Sequence, residues 1–161
     1  MKEHAYEINL EWTGNTGAGT SGYRTYKRNY LVSGNGKAMQ IPGSSDPAFL
    51  GDATRFNPED LLVSALSACH MLWYLHLCAV NKVVVTACSD KATGLMEEAE
   101  NGSGKFKEVV LNPVVTVADE TMRATAATLH EEANKMCFIA NSCNFKVSHN
   151  ATTLVSSDQK S

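Results

Sequence analysis

The sequence predicts an α+β fold, a mainly antiparallel sheet with two long helices, and three observations lead there. The first third alternates apolar and polar residues with no helical period. Two later stretches carry the spacing of amphipathic helices, and each is followed by strand-like segments without the regular β–α alternation of a parallel sheet. The 161 residues suit one domain over 1–155, able to bury a core without staples, with a polar, frayed tail at 156–161.

In chain order, HAYEINLEW (4–12) alternates and reads as a strand, and TGNTGAGTSG is a loop rich in Gly and Thr. YRTYKRNYLVS (23–33) alternates again before the turn GNGK, so a hairpin or meander is expected. Residues 41–56 carry two prolines and two glycines and no period, a long connection of the kind that often carries function. Asn57-Pro58-Glu59-Asp60 opens the strongest helix, with Asn57 as N-cap, Pro58 at the first helical position and acids in the first turn. It runs to about Val80, with Leu62, Ala65, Leu66, Cys69, Leu72, Trp73 and Leu77 on one stripe, which places Cys69 on the buried face. VVVTACSDKATGLMEE reads as a strand, AENGSG as a turn and KFKEVVLNPVVTVA as a strand or pair of strands. A second helix is expected from about Glu120 to Ala140, capped by Asp119 or Thr121, with Ala126, Leu129, Ala133 and Cys137 on one face. NFKVSHNATTLVSS closes the domain as a strand.

Composition narrows the functional classes. A net charge of −3 with scattered lysines and arginines leaves no footprint for nucleic acid. No signal-like N-terminal stretch and no run of about 18 apolar residues is evident, so neither a membrane partner nor export is expected and the protein reads as cytoplasmic. Five cysteines without a C-x-x-C fit neither a secreted disulfide framework nor a zinc ribbon. In a reducing compartment a transient, catalytic disulfide is the usual exception.

Cys69 and Cys137 stand out because two thiols on two helices that pack together can meet across the interface. A single such cysteine is more often packing than chemistry, and a mid-helix thiol gains little from the helix dipole, so a reactive one needs a nearby cation. Arg28 and Arg55 are the candidates. Glu59 precedes Cys69 by ten residues, about 15 Å along a straight helix, too far to serve the thiol of its own chain. Two such helices packed antiparallel about a two-fold axis would bring Glu59 of one chain toward Cys69 of the other. Cys78, Cys88 and Cys143 read as structural. His70 and His76 lack metal-ligand spacing, and His130 could orient a neighbour, although a helical histidine near a hydrophobic face is more often satisfied locally.

The helix opening Asn57–Leu61, Ala65 to Cys69 ten residues past the glutamate, and a second helical cysteine at Cys137 resemble the OsmC/Ohr family of peroxide-detoxifying thiol proteins. YRTYKR (23–28), ALSACHML (65–72), and LHE with CFIANS (129–142) are similar to a subgroup of OsmC-like proteins, and the likeness covers nearly the whole chain. Phe138 follows the second cysteine where better-known branches have proline, and Asn134 stands where this subgroup often has histidine. The resemblance implies the OsmC-like fold, an intertwined homodimer with two long central helices and active sites at the subunit interface. It implies that Cys69 is the peroxidatic cysteine, that Cys137 resolves it, and that Glu59 and an arginine, Arg28 before Arg55, hold the first thiolate ready.

The expected activity is thiol-dependent reduction of organic hydroperoxides, with a small hydrophobic peroxide as substrate and a dithiol or lipoyl-type reductant. No metal, flavin or nicotinamide cofactor is required. The alternatives are a non-catalytic module holding a small apolar ligand and a thiol redox sensor, with a cysteine hydrolase further off because no His–acid pair is spaced to support it.

Overall fold

The computed structural model describes residues 1–156; all but the first residue of the tail expected at 156–161 lies outside the described residues. Among the described residues nine strands and two α-helices alternate irregularly, so the α+β class holds. The chain forms two compact units, residues 1–62 and the residues from Val63 on.

The first unit is a meander, β1 (Asn9–Trp12), β2 (Tyr30–Ser33) and β3 (Ile41–Gly43), paired antiparallel in that order. Both expected strands are shorter than their alternating segments. Residues 23–29 instead close a loop, because Trp12 Nε1 donates to Lys27 O at 2.8 Å and Arg28 donates to the carbonyls of Tyr26 and Tyr23. The long connection contains β3 and a 3-10 turn at Pro47–Phe49, capped by Asp46, which accepts from Ala48 N at 2.7 Å. Gly43 is required where it stands: a Cβ there would fall 2.1 Å from the Tyr30 ring.

Helix α1 (Pro58–Val80) starts in this unit and continues through the second. Its start is a reciprocal cap, Asp60 N donating to Asn57 Oδ1 at 2.7 Å and Asn57 N to Asp60 Oδ2 at 3.1 Å. Its end is a Schellman arrangement with Lys82 left-handed at φ 60°, Val83 N donating to Cys78 O and Lys82 N to Ala79 O. The buried stripe is Leu66, His70, Tyr74 and Cys78. This corrects the expected one: the stripe lies one residue further along, Leu72 is exposed, and Cys69 is half-buried at its edge. By length and apolar composition alone α1 would also pass for a membrane span, contrary to the expectation that no stretch would. His70 and Tyr74 on its buried face are both hydrogen-bonded.

The second unit adds two sheets, β4 (Val85–Asp90), β7 (Pro113–Val117) and β9 (Thr152–Val155) in one, β5 (Thr93–Glu98), β6 (Gly104–Leu111) and β8 (Lys146–His149) in the other. Each of the segments 83–98, 105–118 and 144–157 therefore supplies two strands. β4–β7 and β5–β6 are antiparallel, while β6–β8 and β7–β9 are parallel, so pairing is mainly antiparallel when the meander is included. Asp119 caps a 3-10 turn (Glu120–Met122) by accepting from Thr121 N at 2.8 Å, and α2 follows as Arg123–Met136. Ala126, His130, Ala133 and Cys137 are buried, and the core gathers Tyr74, Cys78, Val83, Val115, Val117 and Val155 against α2.

Candidate functional site

Within the second unit, three contacts define how α1 lies on α2. Cys69 meets Cys137, His70 Nε2 lies 3.1 Å from His130 Nδ1, and Tyr74 Oη donates to Ala126 O at 3.1 Å. Numbers rise on one helix as they fall on the other, so the helices run antiparallel and the two cysteines sit at one end of their contact.

The expected cysteine pair is thus brought together, with one correction. Cys137 is not inside a helix: at φ −67°, ψ 108° it leaves α2 as the residue after its last turn. The chain there folds into a tight turn that uses up the free carbonyls, Asn141 N bonding Cys137 O at 3.0 Å and Asn141 Nδ2 bonding Lys135 O at 2.9 Å. The turn also aims Ala140 N–H at Cys137 Sγ, 3.4 Å away. Phe138, in the place of a proline, stands edge-on to Trp73 with ring centres 5.5 Å apart and walls the same end of the helices.

Cys137 is 1% exposed and Cys69 half-buried. Burial pushes the Cys137 thiol up to about 11, and a hydrogen bond to Cys69 pushes the same way; the Ala140 and Ile139 amides pull against both. The two thiols are unequal in burial: Cys69 is the reachable one and Cys137 the buried one, with the Ala140 N–H aimed at its sulfur. Burial raises the Cys78, Cys88 and Cys143 thiols, and Cys143 Sγ donates to Ile139 O at 3.3 Å.

The charged candidates lie in the first unit. Arg28 is fixed between two ring faces, its guanidinium 4.1 Å from the Tyr26 ring centre and 4.7 Å from that of Tyr23, and it donates to both residues' carbonyls. It makes no ion pair among the described residues, and it lines an apolar cavity of about 550 Å³ with Leu10, Trp12, Tyr26, Tyr30 and Leu61. Glu59 is half-buried in the first turn of α1. With Asp60 it adds negative charge near Tyr30, whose phenol is raised first by burial and then by these two carboxylates. Arg55 is taken by Asp52, 3.4 Å away. Arg28, Arg55 and Glu59 belong to the first unit, Cys69 and Cys137 to the second.

Of the two readings of His130, local satisfaction is the one that fails: its partner, His70, lies 60 positions away. Its position four residues after Ala126 on the α2 stripe was the available signal, but periodicity does not say which helix a buried imidazole will meet. No group of three or more His, Cys, Asp or Glu side chains among the described residues is arranged to hold a metal ion.

The fold agrees with comparisons to known proteins. The sequence profile described as OsmC-like protein matches residues 51–151. An OsmC-like protein of unknown function from Vibrio cholerae superposes with a TM-score of 0.80 at 27% identity, over 94% of this chain and 99% of that one. An organic hydroperoxide resistance protein from Elizabethkingia anophelis (TM-score 0.65, 19% identity, 95% and 99% covered) shares the fold, as does one from Legionella pneumophila (0.66, 17%, 94% and 99%). A comparison with curated proteins gives no match. With the family profile covering more than half of its length, the chain belongs to the OsmC-like protein family.

Proposed function

We propose that the protein reduces organic hydroperoxides with Cys69 and Cys137, in a homodimer whose sites are completed across the subunit interface. The observation that carries this reading is the unequal dithiol: a half-buried sulfur on α1 meets a buried one at the end of α2, the latter raised by burial. The Cys69 thiolate attacks the terminal peroxide oxygen; the S–O bond forms, the O–O bond breaks, and the alkoxide takes a proton to leave as alcohol. Cys137 then attacks the sulfenic sulfur, the Ile139 and Ala140 amides carrying its developing charge. The S–S bond forms, and the hydroxide leaves as water with the Cys137 proton. A dithiol reductant restores both thiols by two exchanges.

Arg28 is the activating cation, oriented by Glu59, and serves the dithiol of the partner subunit. Its free charge and apolar cavity favour it over Arg55, which Asp52 neutralises. The cavity also suits an apolar peroxide better than hydrogen peroxide. The exposed apolar residues of the meander, among them Ile8, Leu10, Trp12 and Ile41, support a second copy covering that face. A cytoplasmic location is part of the proposal, since the resting dithiol needs a reducing compartment.

The test follows loss of an organic hydroperoxide with excess dithiol in wild type, Cys69→Ser and Cys137→Ser. Turnover in wild type alone is expected; wild type no faster than Cys69→Ser overturns the proposal. One disulfide formed without repeated turnover would favour the sensor reading instead.

A further inference from the structure

The second unit buries imidazoles where apolar side chains would pack, and no step above uses them. His70 and His130 are 2% and 1% exposed, and their rings lie within 2° of parallel planes. Tyr74 stacks on His130 with ring centres 3.8 Å apart. Two neutral imidazoles carry one N–H each, so the bond between Nε2 and Nδ1 uses one donor and one lone pair. Whichever ring donates, the outer atoms, His70 Nδ1 and His130 Nε2, become one buried N–H without an acceptor and one lone pair without a donor. An apolar pair of similar size would avoid that penalty, so stability alone does not account for these residues.

Their position does. His70 directly follows Cys69, and His130 stands two helical turns before Cys137. Around them α2 offers Ala126 and Ala133, a smooth surface that resists sliding weakly. Tyr74 fixes the far end of the contact by its bond to Ala126 O. The imidazole bond is the directional contact next to the thiols, and a half-turn slip of about 2.7 Å would break it.

We propose that His70 and His130 are positioning residues for the dithiol: their hydrogen bond holds α1 and α2 in the register at which the Cys69 and Cys137 sulfurs meet, and is lost when both rings are protonated and two N–H groups face each other. The proposal rests on the reading of these cysteines as a reactive pair. A proton on either ring would face the other ring and His149 of β8, whose ring centre is 5.4 Å from His70 and 5.8 Å from His130. Glu131 answers His149 at 3.4 Å from the rim. Asp90 of β4 favours charge on His70, but its carboxylate already accepts from Ser67 Oγ and Asn112 N. Tyr74, Cys78 and Cys88, raised by burial, stay neutral. Burial outweighs Asp90, and both rings are held neutral far below the usual histidine range.

The register is read without peroxide, in the full chain carrying Cys88→Ala and Cys143→Ala and treated with 4,4′-dithiodipyridine. Cys69 displaces one thiopyridone and forms a mixed disulfide. Cys137 displaces the second and closes the protein disulfide, so the two thiols pass two electrons and two protons to two thiopyridones. The second release is intramolecular and reports how well the sulfurs meet. His70→Leu/His130→Leu, folded by circular dichroism, is expected to slow it by about tenfold or more. His70→Gln/His130→Asn, with amide groups near the bonding nitrogens, is expected to keep the wild-type rate at pH 7. It should also lose the additional slowing that wild type shows below about pH 4. Closure in the Leu pair within about twofold of wild type overturns the proposal. If the Leu pair does not fold, a Gln/Asn pair whose pH profile parallels wild type overturns it. Because no peroxide is present, failure here is distinct from failure of hydroperoxide reduction.

Discussion

Lowering the pH from 7 to 5 should destabilise this protein through His70 and His130. Burial first, then the neighbouring imidazoles, hold His70 at about 4 and His130 at about 3 in the folded chain. Unfolded, each titrates near 6.5. The folded values are depressed, so the unfolded chain binds more protons between them. The stability contributed by the neutral rings is complete above about pH 6.5 and is lost as the pH falls toward the folded values. At pH 5 each ring is about one and a half pH units below its unfolded value, at about 1.4 kcal/mol per unit; the loss is about 2 kcal/mol each and about 4 for the pair. The result holds while both folded values stay below 5. Asp52 and Asp119, held below the carboxylate range by hydrogen bonds from Thr54 and Thr121, titrate outside this window. Urea unfolding followed by circular dichroism at both pH values gives the measurement, with His70→Gln/His130→Asn as the control that should lose less than half as much. A wild-type loss under about 1 kcal/mol, or an equal loss in the control, refutes the reasoning.

Cys137→Ser, exposed to an organic hydroperoxide, should accumulate a sulfenic acid on Cys69 that dimedone traps as one adduct by mass spectrometry, whereas Cys69→Ser should give none. Arg28→Gln should slow peroxide consumption by about a hundredfold, while Arg55→Gln, which only releases an exposed pair with Asp52, should stay within about threefold in the same assay. Leu66→Ala, at a fully buried position on α1, should lower unfolding free energy by about 2–5 kcal/mol in a denaturant titration.

The helix carrying Cys69 was readable from Asn57 to Val80 because its signals are local: a capping residue, a proline at the first position and acids in the first turn all act within four residues. The meander and the later strands were readable in kind but not in number, since an alternating run does not announce the turn that splits it. KFKEVVLNPVVTVA breaks at Asn112, whose N–H bonds Asp90, a residue from another strand. The stripe of α1 was misplaced by one residue because an all-round apolar helix leaves the choice of face to its neighbours. His70 and Tyr74 are drawn inside by hydrogen bonds to α2, and Leu72 is left out. The end of α2 was overrun for a similar reason, the Asn141 side chain closing the helix before Cys137 from beyond it. The pairing of Cys69 with Cys137 was legible through family likeness, and the imidazole bond beside it was not, since it joins residues 60 apart.

The central claim is that Cys69 and Cys137 pass their electrons to a peroxide as a pair. One equivalent of an organic hydroperoxide added to the fully reduced chain without reductant, followed by proteolysis and mass spectrometry of the blocked peptides, tests it most directly. The account predicts one equivalent of alcohol and a single disulfide joining Cys69 to Cys137, with Cys78, Cys88 and Cys143 still free. Unchanged thiols, or a disulfide that omits Cys69 or Cys137, would contradict it.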